Sequence, residues 1–573
     1  MSSAASHRGA PLGGQIGPGG RAGRVGRPRL LAALATLVIL GTAATIALAG
    51  SGSGPATGPV VRALGAAPPG TQVQFTLLLR LPGAARLRRA LAAQQDPRSP
   101  QFGHVITPRA FGQRFGISSS SLAHVEASLQ SDGLRLLASY PQRTALSMSG
   151  RVASVDRVLR VRIEQYGDAS GHRWHAPIGT PVVPAVLARF VSGVTGLDTR
   201  PRWRAQDVPL GGLTPATVPA AYDSAPLRNQ GIAGQGLRIA VISFSAFDPS
   251  DPQAFASHFG ISGPEPQVVG VDGGTTDTSG AGESNLDIDV IRSVAPQAQI
   301  LFYEVPQSSS SYTDVINRIV ADHSADIISS SWGQCELGLD PTQRAGDSQA
   351  ISAAEAAGIS MFVASGDAGA YDCQQGNLAD QRLSVDWPAS SAGAIAVGGT
   401  RLYLNADGSY AREGGWEDIL SGTGGGGGVT TGDARPSWQA GPGVRSAYSN
   451  GRRQLPDVSA DADPATGWAT YSAGSLGQAG GTSAAAPFWA SSMLLIGQYA
   501  ATHGVAKLGY VNPTLYALAA TRQPFPPFHD VTLGGNRFFQ TTPGWDPATG
   551  LGSPDVYNLA RDITAYRRLH PAG

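Results

Sequence analysis

The chain is short of charge. Only 14% of its 573 residues are Asp, Glu, Lys or Arg, against about 25% in an average soluble domain, so few ion pairs exist for acid to break. That composition permits work at low pH. Acidic and basic residues nearly cancel at a formal net charge of +1, which removes the electrostatic basis for binding nucleic acid. Lysine is almost missing, with Lys507 the only one, so positive charge is carried by arginine; this reads as coding bias and assigns no function. Cysteine is limited to Cys335 and Cys373. What the chain does have is length and a hydrophobic fraction of 42%, enough for at least two folded units plus extra segments.

Arg21, Arg24, Arg27 and Arg29 precede an uncharged stretch, Leu30 to Ala49, about as long as a bilayer core is thick. The segment is expected to direct the chain to a membrane, with 1–29 as a basic leader. Ala47, Leu48 and Ala49 also read as a small-residue cleavage site, so signal peptide and retained anchor are both open. Either places the body outside the cytoplasm, where the two cysteines are free to pair. A Gly/Ser/Pro-rich linker follows, 50–65.

From Val73 to Leu81 the pattern reads as a strand, followed by a helix over 84–95 and turns around Pro97 and Pro100. Phe111 to Leu134 reads as amphipathic helix, Leu159 to Gln165 as a returning strand, and the unit ends near Val194. This alternation predicts a compact α+β domain over 66–195. The segment 196–213 holds arginines and prolines without an apolar period, and reads as an interdomain linker open to proteolysis. Beyond Leu237 come short continuous apolar runs, 238–243, 299–303, 326–329 and 360–364, which suit buried parallel strands. Helical stretches at 286–294, 312–321 and 347–357 alternate with them, predicting a doubly wound α/β domain over 214–565. The run Gly424 to Gly428 lacks the Gly-Lys-Ser/Thr of a phosphate loop and reads as a flexible surface loop.

The sharpest local signal is Gly480-Gly481-Thr482-Ser483-Ala484-Ala485-Ala486-Pro487 before an apolar helix. A serine at a helix entrance has free N–H groups and the helix dipole beside it, which favour the oxyanion of acyl transfer; an ordinary N-cap has the same look. A nucleophilic serine needs a base, yet His258, His323, His503 and His529 lie in no matching context. The alternative is Gly282-Glu283-Ser284-Asn285-Leu286-Asp287. On a helix, carboxyls four apart share a face, and two held together cannot both ionise easily, so one keeps a proton into mild acid. A solvated helix face is the competing explanation.

These pieces occur in the order seen in the sedolisin family of kumamolisin-like serine-carboxyl peptidases, which the chain resembles from about Thr214 to Asp555. The shared pattern is Glu283 and Asp287 before Ala295-Pro296, then Ser329 to Gly333, Ser365 to Gly369, Pro388 to Thr400, and the Gly-Thr-Ser segment. The preceding α+β unit resembles the family's activation prodomain, of ferredoxin-like fold. The resemblance implies a subtilisin-like, mainly parallel catalytic domain. In it Ser483 is the nucleophile, Glu283 the base, Asp287 its partner and Asp367 a protonated donor to the oxyanion. It implies one structural Ca2+ held by the side chains of Asp530 and Asp546 and the carbonyls of Val531, Thr542 and Gly544, a set of hard oxygen donors. It places Trp332 and Asp386 at the substrate pocket, Asp386 pointing to a basic substrate residue.

Two departures stand out: Ser243 occupies a position near which some members carry a glutamate, and Cys335 and Cys373 follow two of the motifs at neighbouring strand ends, predicting a disulfide. The expected protein is an exported, acid-acting endopeptidase of proteins or peptides, monomeric and inhibited by its own prodomain. An inactive membrane-tethered homologue that binds peptide or cell-wall material is the alternative. A histidine-dependent subtilisin is disfavoured because no His-Gly-Thr-His segment is present.

Overall fold

The computed structural model describes residues 61–168, 171–202 and 212–571. The leader, the 30–49 segment and most of the linker up to residue 60 therefore lie outside the described residues, as do 203–211 of the interdomain linker. No helix among the described residues is long and apolar enough to cross a membrane.

The N-terminal region is built on four antiparallel strands, β1 (Gln72–Leu79), β2 (Arg135–Ser139), β3 (Ala145–Arg151) and β4 (Val191–Thr195), in the order β2-β3-β1-β4. Between β1 and β2 run α1 (Ala84–Gln95), α2 (Pro108–Phe115) and α3 (Ser119–Ser131), and between β3 and β4 lies α4 (Val152–Leu159). Order and connections are those of a ferredoxin-like fold. The stretch expected as one helix over 111–134 is two. Gly116 turns extended at the end of α2, and the Ser118 side chain accepts the Ser121 N–H to cap a fresh start. The expected strand from Leu159 is also corrected: Leu159 closes α4, Arg160 reverses the chain in the left-handed region, and the strand begins at Arg162. That strand, Arg162–Gly167, pairs with Arg62–Ala66 and Arg173–Ile178 in a second small sheet.

The C-terminal region carries an eight-stranded sheet. Its strands are β5 (Arg238–Ser243), β6 (Gln267–Gly270), β7 (Gln299–Glu304), β8 (Ile327–Ser330), β9 (Ser360–Ala364), β10 (Ile395–Leu404), β11 (Tyr410–Gly415) and β12 (Val458–Asp461). The order is β11-β10-β9-β8-β5-β7-β6, with β12 also paired to β10. All pairings are parallel except β10 with β11. Alternate residues of β5 go to opposite faces: Ile239 and Val241 join one apolar cluster, Ala240 and Ile242 another. Both faces are covered by helices, the condition for near-continuous apolar strands. On the first face lie α5 (Ala281–Val294) and α8 (Thr482–Thr502), the latter buried for most of its length; on the second lie α6 (Ser311–Asp322) and α7 (Pro341–Ala356).

The N-terminal sheet docks on α6 and α7. The Thr76 hydroxyl donates to the Asp314 carboxyl (2.7 Å), and Gln142 and Thr144 donate to the Asn317 side chain (2.8 and 2.6 Å). Leu78 meets α7 at Gly346, where a Cβ would stand 2.9 Å from its Cδ2.

Below the sheet, Arg453 and Asp457 form an ion pair with both side chains wholly excluded from solvent. Asp457 also accepts from Tyr516 Oη (2.9 Å), Asn512 Nδ2 (3.1 Å) and the Ala396 N–H (2.9 Å). Asp457→Ala strands a buried guanidinium and is expected to cost about 3–5 kcal/mol, seen as a lower guanidinium midpoint. Replacing both Arg453 and Asp457 by apolar residues should cost less than the single change.

Candidate active site

A helix that begins at the carboxyl ends of parallel strands offers its free N–H groups to the crevice there. Thr482 opens α8 directly after Gly481, whose φ of 91° lies in the left-handed region and turns the chain from Ala479-Gly480 into the helix. Pro487 lies inside the helix, past its first turn, and offers no N–H to the Ser483 carbonyl four residues back, which the Ser331 hydroxyl approaches at 3.0 Å. Ser483 is therefore held at a rigid helix entrance, 1% exposed. Its Oγ donates to the Ser331 carbonyl at 3.3 Å, just past the end of β8.

Glu283 and Asp287 lie one turn apart in α5 and are both buried. Asp287 Oδ1 accepts the Ser331 hydroxyl at 2.6 Å. Burial drives the Asp287 carboxyl up to about 8, against the opposing effect of that hydrogen bond. Asp367, three residues past β9, accepts both the Thr482 N–H (2.8 Å) and the Thr482 hydroxyl (2.7 Å) on Oδ1. Burial raises it to about 6 while those two bonds oppose the rise. Ser331 thus joins Asp287 to Ser483, and Thr482 joins Asp367 to the same helix entrance.

A small cavity opens on Ser483 and is lined by Ser331, Gly333, Gly366, Gln375, Asp386 and Thr482. Asp386 packs so closely on Gly333 that a Cβ there would meet its Oδ1 at 2.1 Å. Its carboxyl is pushed well up by burial, and then by the charges of Asp372, Asp367 and Glu336. Trp332 is placed differently from Asp386: it is buried against Phe244 and Gly280, outside this cavity lining. The predicted disulfide Cys335–Cys373 is formed, with a Cα separation of 4.9 Å, and ties together the segments that follow Ser331 and Asp367. Ser243 bonds Ser284 Oγ (3.0 Å) and the Ser245 carbonyl (2.9 Å), so its hydroxyl is engaged locally.

The glycine run is a correction. Gly424 to Gly428 are buried, not a surface loop. The Gly424 N–H donates to the Asp367 carbonyl (2.9 Å) and the Gly426 N–H to that of Gly366 (2.7 Å). A Cβ on Gly426 would stand 1.8 Å from the Ser365 carbonyl oxygen. The absent side chains let one backbone lie against another under the Asp367 turn. A glycine run serves close packing of backbone on backbone as readily as it serves flexibility. Ser331 and Thr482 lie inside the segments 329–333 and 480–487 with no role assigned by sequence, since a hydroxyl's partner across the fold leaves no periodicity.

Four of the five residues expected to hold calcium are joined in two hydrogen-bonded pairs. Asp530 Oδ2 accepts the Gly544 N–H (3.0 Å) and Asp546 Oδ2 the Thr542 N–H (2.9 Å), bringing the two carboxyls to one turn. Among the described residues nothing donates a hydrogen bond to the carbonyls of Val531, Thr542 or Gly544. Burial raises both carboxyls, Asp546 to about 6. Two carboxyls, and three carbonyls that accept no hydrogen bond among the described residues, are oxygen donors of the kind a hard divalent ion takes.

Asp367, Asp347 and Asp287 are buried and raised from the usual 3.8 to about 6, 7 and 8. A carboxyl whose folded pKa exceeds its unfolded one holds its proton more tightly in the native state. The stability it contributes is whole below about pH 4 and lost as pH rises through those values. The denaturant midpoint should therefore fall between about pH 4 and 8, and Asp347→Asn should flatten the decline.

Comparisons with known proteins place this geometry. Residues 60–200 match the family model "Pro-kumamolisin, activation domain" and residues 165–510 that of the subtilase family. The chain is 33% identical to kumamolisin of a Bacillus strain, covering 84% of this chain and 90% of the relative. It is 32% identical to sedolisin of a Pseudomonas strain, covering 86% and 87%. The solved structure of Pseudomonas sedolisin, a serine-carboxyl proteinase complexed with pseudo-iodotyrostatin, superposes with a TM-score of 0.54 at 30% identity, covering 64% of this chain and 99% of that one. With the activation domain, the parallel sheet and these relatives in agreement, the chain belongs to the sedolisin family of serine-carboxyl peptidases and carries that family's N-terminal activation prodomain.

Proposed function

We propose that this peptidase is an exported endopeptidase acting in acid through an acyl-enzyme, with Ser483, Glu283, Asp287 and Asp367 as its working groups. The observation that carries the reading is a serine at a buried helix entrance, flanked by buried carboxyls and with no histidine in its cavity lining. Ser483 Oγ attacks the scissile carbonyl as Glu283 takes its proton, while Asp287 shares the charge that Glu283 gains and loses. The carbonyl oxygen becomes an oxyanion. Asp367, tied through Oδ1 to Thr482, has Oδ2 left to carry a hydrogen and donate it to that oxyanion. Glu283 then protonates the leaving amine, and water releases the acyl group by the reverse relay.

Only a neutral Asp367 can donate. With its carboxyl at about 6, the competent form is complete below that pH and disappears above it. Asp386, buried beside Ser483, would take a basic substrate side chain by giving up its proton and pairing with it. The prodomain acts as the inhibitor in an uncleaved chain, and the 196–213 linker is the processing region. It is held at Arg202, whose N–H donates to Gln307, and again at Leu213, which pairs with the hairpin strand Trp468–Ser472. Bound Ca2+ supplies charge neutralisation to Asp530 and Asp546 and ties the C-terminal turns together.

A casein digestion at about pH 4 and about pH 7 tests the catalytic reading. The wild-type chain should shorten itself and digest casein at the lower pH, and lose activity by tenfold or more at the higher. Ser483→Ala and Glu283→Ala should do neither. Undiminished activity at neutral pH, or activity surviving Ser483→Ala, would sink the reading. For the metal, a chelator should lower the melting temperature by several degrees and added Ca2+ restore it, with Asp546→Asn insensitive to both. Equal melting with and without chelator removes the ion from the account.

A further inference from the structure

Ser331 lies between the nucleophile and the carboxyl pair. It follows β8, is 3% exposed, and makes contact in both directions. Its carbonyl accepts the Ser483 hydroxyl at 3.3 Å. Its own hydroxyl stands 2.6 Å from Asp287 Oδ1 and 3.0 Å from the Ser483 carbonyl. A hydroxyl has a single hydrogen to give, and the shorter contact, to a group that can be charged, takes it. Asp287 Oδ1 is thereby committed. Asp287 Oδ2 has no hydrogen-bond partner among the described residues, so it is the oxygen left to carry the proton that the pair shares.

We propose that Ser331 is a positioning residue of the peptidase reaction, its hydroxyl assigning the shared proton to Asp287 Oδ2 and its carbonyl aiming Ser483 Oγ. The proposal rests on the reading of Ser483, Glu283 and Asp287 as the reacting groups. A serine that did no more than fill space at the strand end would not need its oxygen in contact with both partners. The surroundings leave the task to it. The titratable groups facing Asp287 are Glu283, one turn away on α5, and the Tyr312 hydroxyl from α6. No arginine or lysine contributes to its electrostatic surroundings among the described residues. Among the described residues, the Ser331 side chain gives the hydrogen bond that favours the charged form of Asp287.

Removing that bond makes the pair hold its proton to higher pH, since a hydrogen bond to the charged form favours ionisation. The acid limb of the kcat profile should therefore move upward in Ser331→Ala, by roughly half a pH unit or more. The alkaline limb, set by Asp367, should stay in place. In processed enzyme, kcat should fall on the order of tenfold while KM changes by less than about twofold. Ser331→Thr keeps the hydroxyl and should restore the acid limb. A melting curve of each full-length variant identifies any loss that is merely unfolding, and only folded variants are scored.

Ser331→Ala with wild-type kcat and an unmoved acid limb overturns the proposal, and so does a folded Ser331→Thr that behaves like the alanine variant. Ser483→Ala and Glu283→Ala run alongside separate the two levels. If they are inactive while Ser331→Ala is normal, only the positioning role falls. If they stay active, the catalytic reading falls with it.

Discussion

The site depends on carboxyl groups being kept out of water without a cation to pair with. Moving an ionised carboxylate from water into a protein interior costs several kcal/mol unless it is compensated, and the cheaper response is to keep the proton. Around Ser483 this response recurs: Asp287, Asp367, Asp372 and Asp386 are all buried and all raised, with burial the leading cause. A serine surrounded by acids that hold hydrogen has neighbours able to accept a proton on one side and donate a hydrogen bond on the other. An imidazole is not required for either task.

That arrangement also explains why hydroxyls and backbone amides, not arginines, furnish the contacts. Ser331 serves Asp287, and Thr482 serves Asp367. A guanidinium in either place would pull the carboxyl pKa down and fix the charged form. Elsewhere carboxyls do meet arginine: Arg453 pairs with Asp457 deep in the core, and Arg344 lies 3.4 Å from Glu336 at the edge of the acidic cluster.

The prodomain is docked by a related chemistry. Its Thr76, Gln142 and Thr144 meet Asp314 and Asn317 with neutral donors, and among the described residues no ion pair crosses from the prodomain to the sheet domain. The bare backbone of Gly346 makes room for the Leu78 side chain at this junction, where a Cβ would stand 2.9 Å from Leu78 Cδ2.

Much of this was legible in the chain itself. The apolar runs at 238–243, 299–303 and 360–364 announce parallel strands because both of their faces are buried, and helix 84–95 was read to the residue. Glu283, Asp287, Asp367 and Ser483 stand out in the chain because their motifs are local and ordered, and the cysteine pair followed from where those motifs fall. Other features were decided only when the chain closed on itself. Ser331 meets Ser483 across 152 positions of sequence, and Thr482 meets Asp367 across 115. No periodicity encodes such a meeting. The glycines at 424–428 look the same in sequence whether they serve freedom or contact, and tertiary packing made them contact. Local chemistry is written in neighbouring residues, whereas the desolvation that sets these pKa values comes from every layer packed around the site.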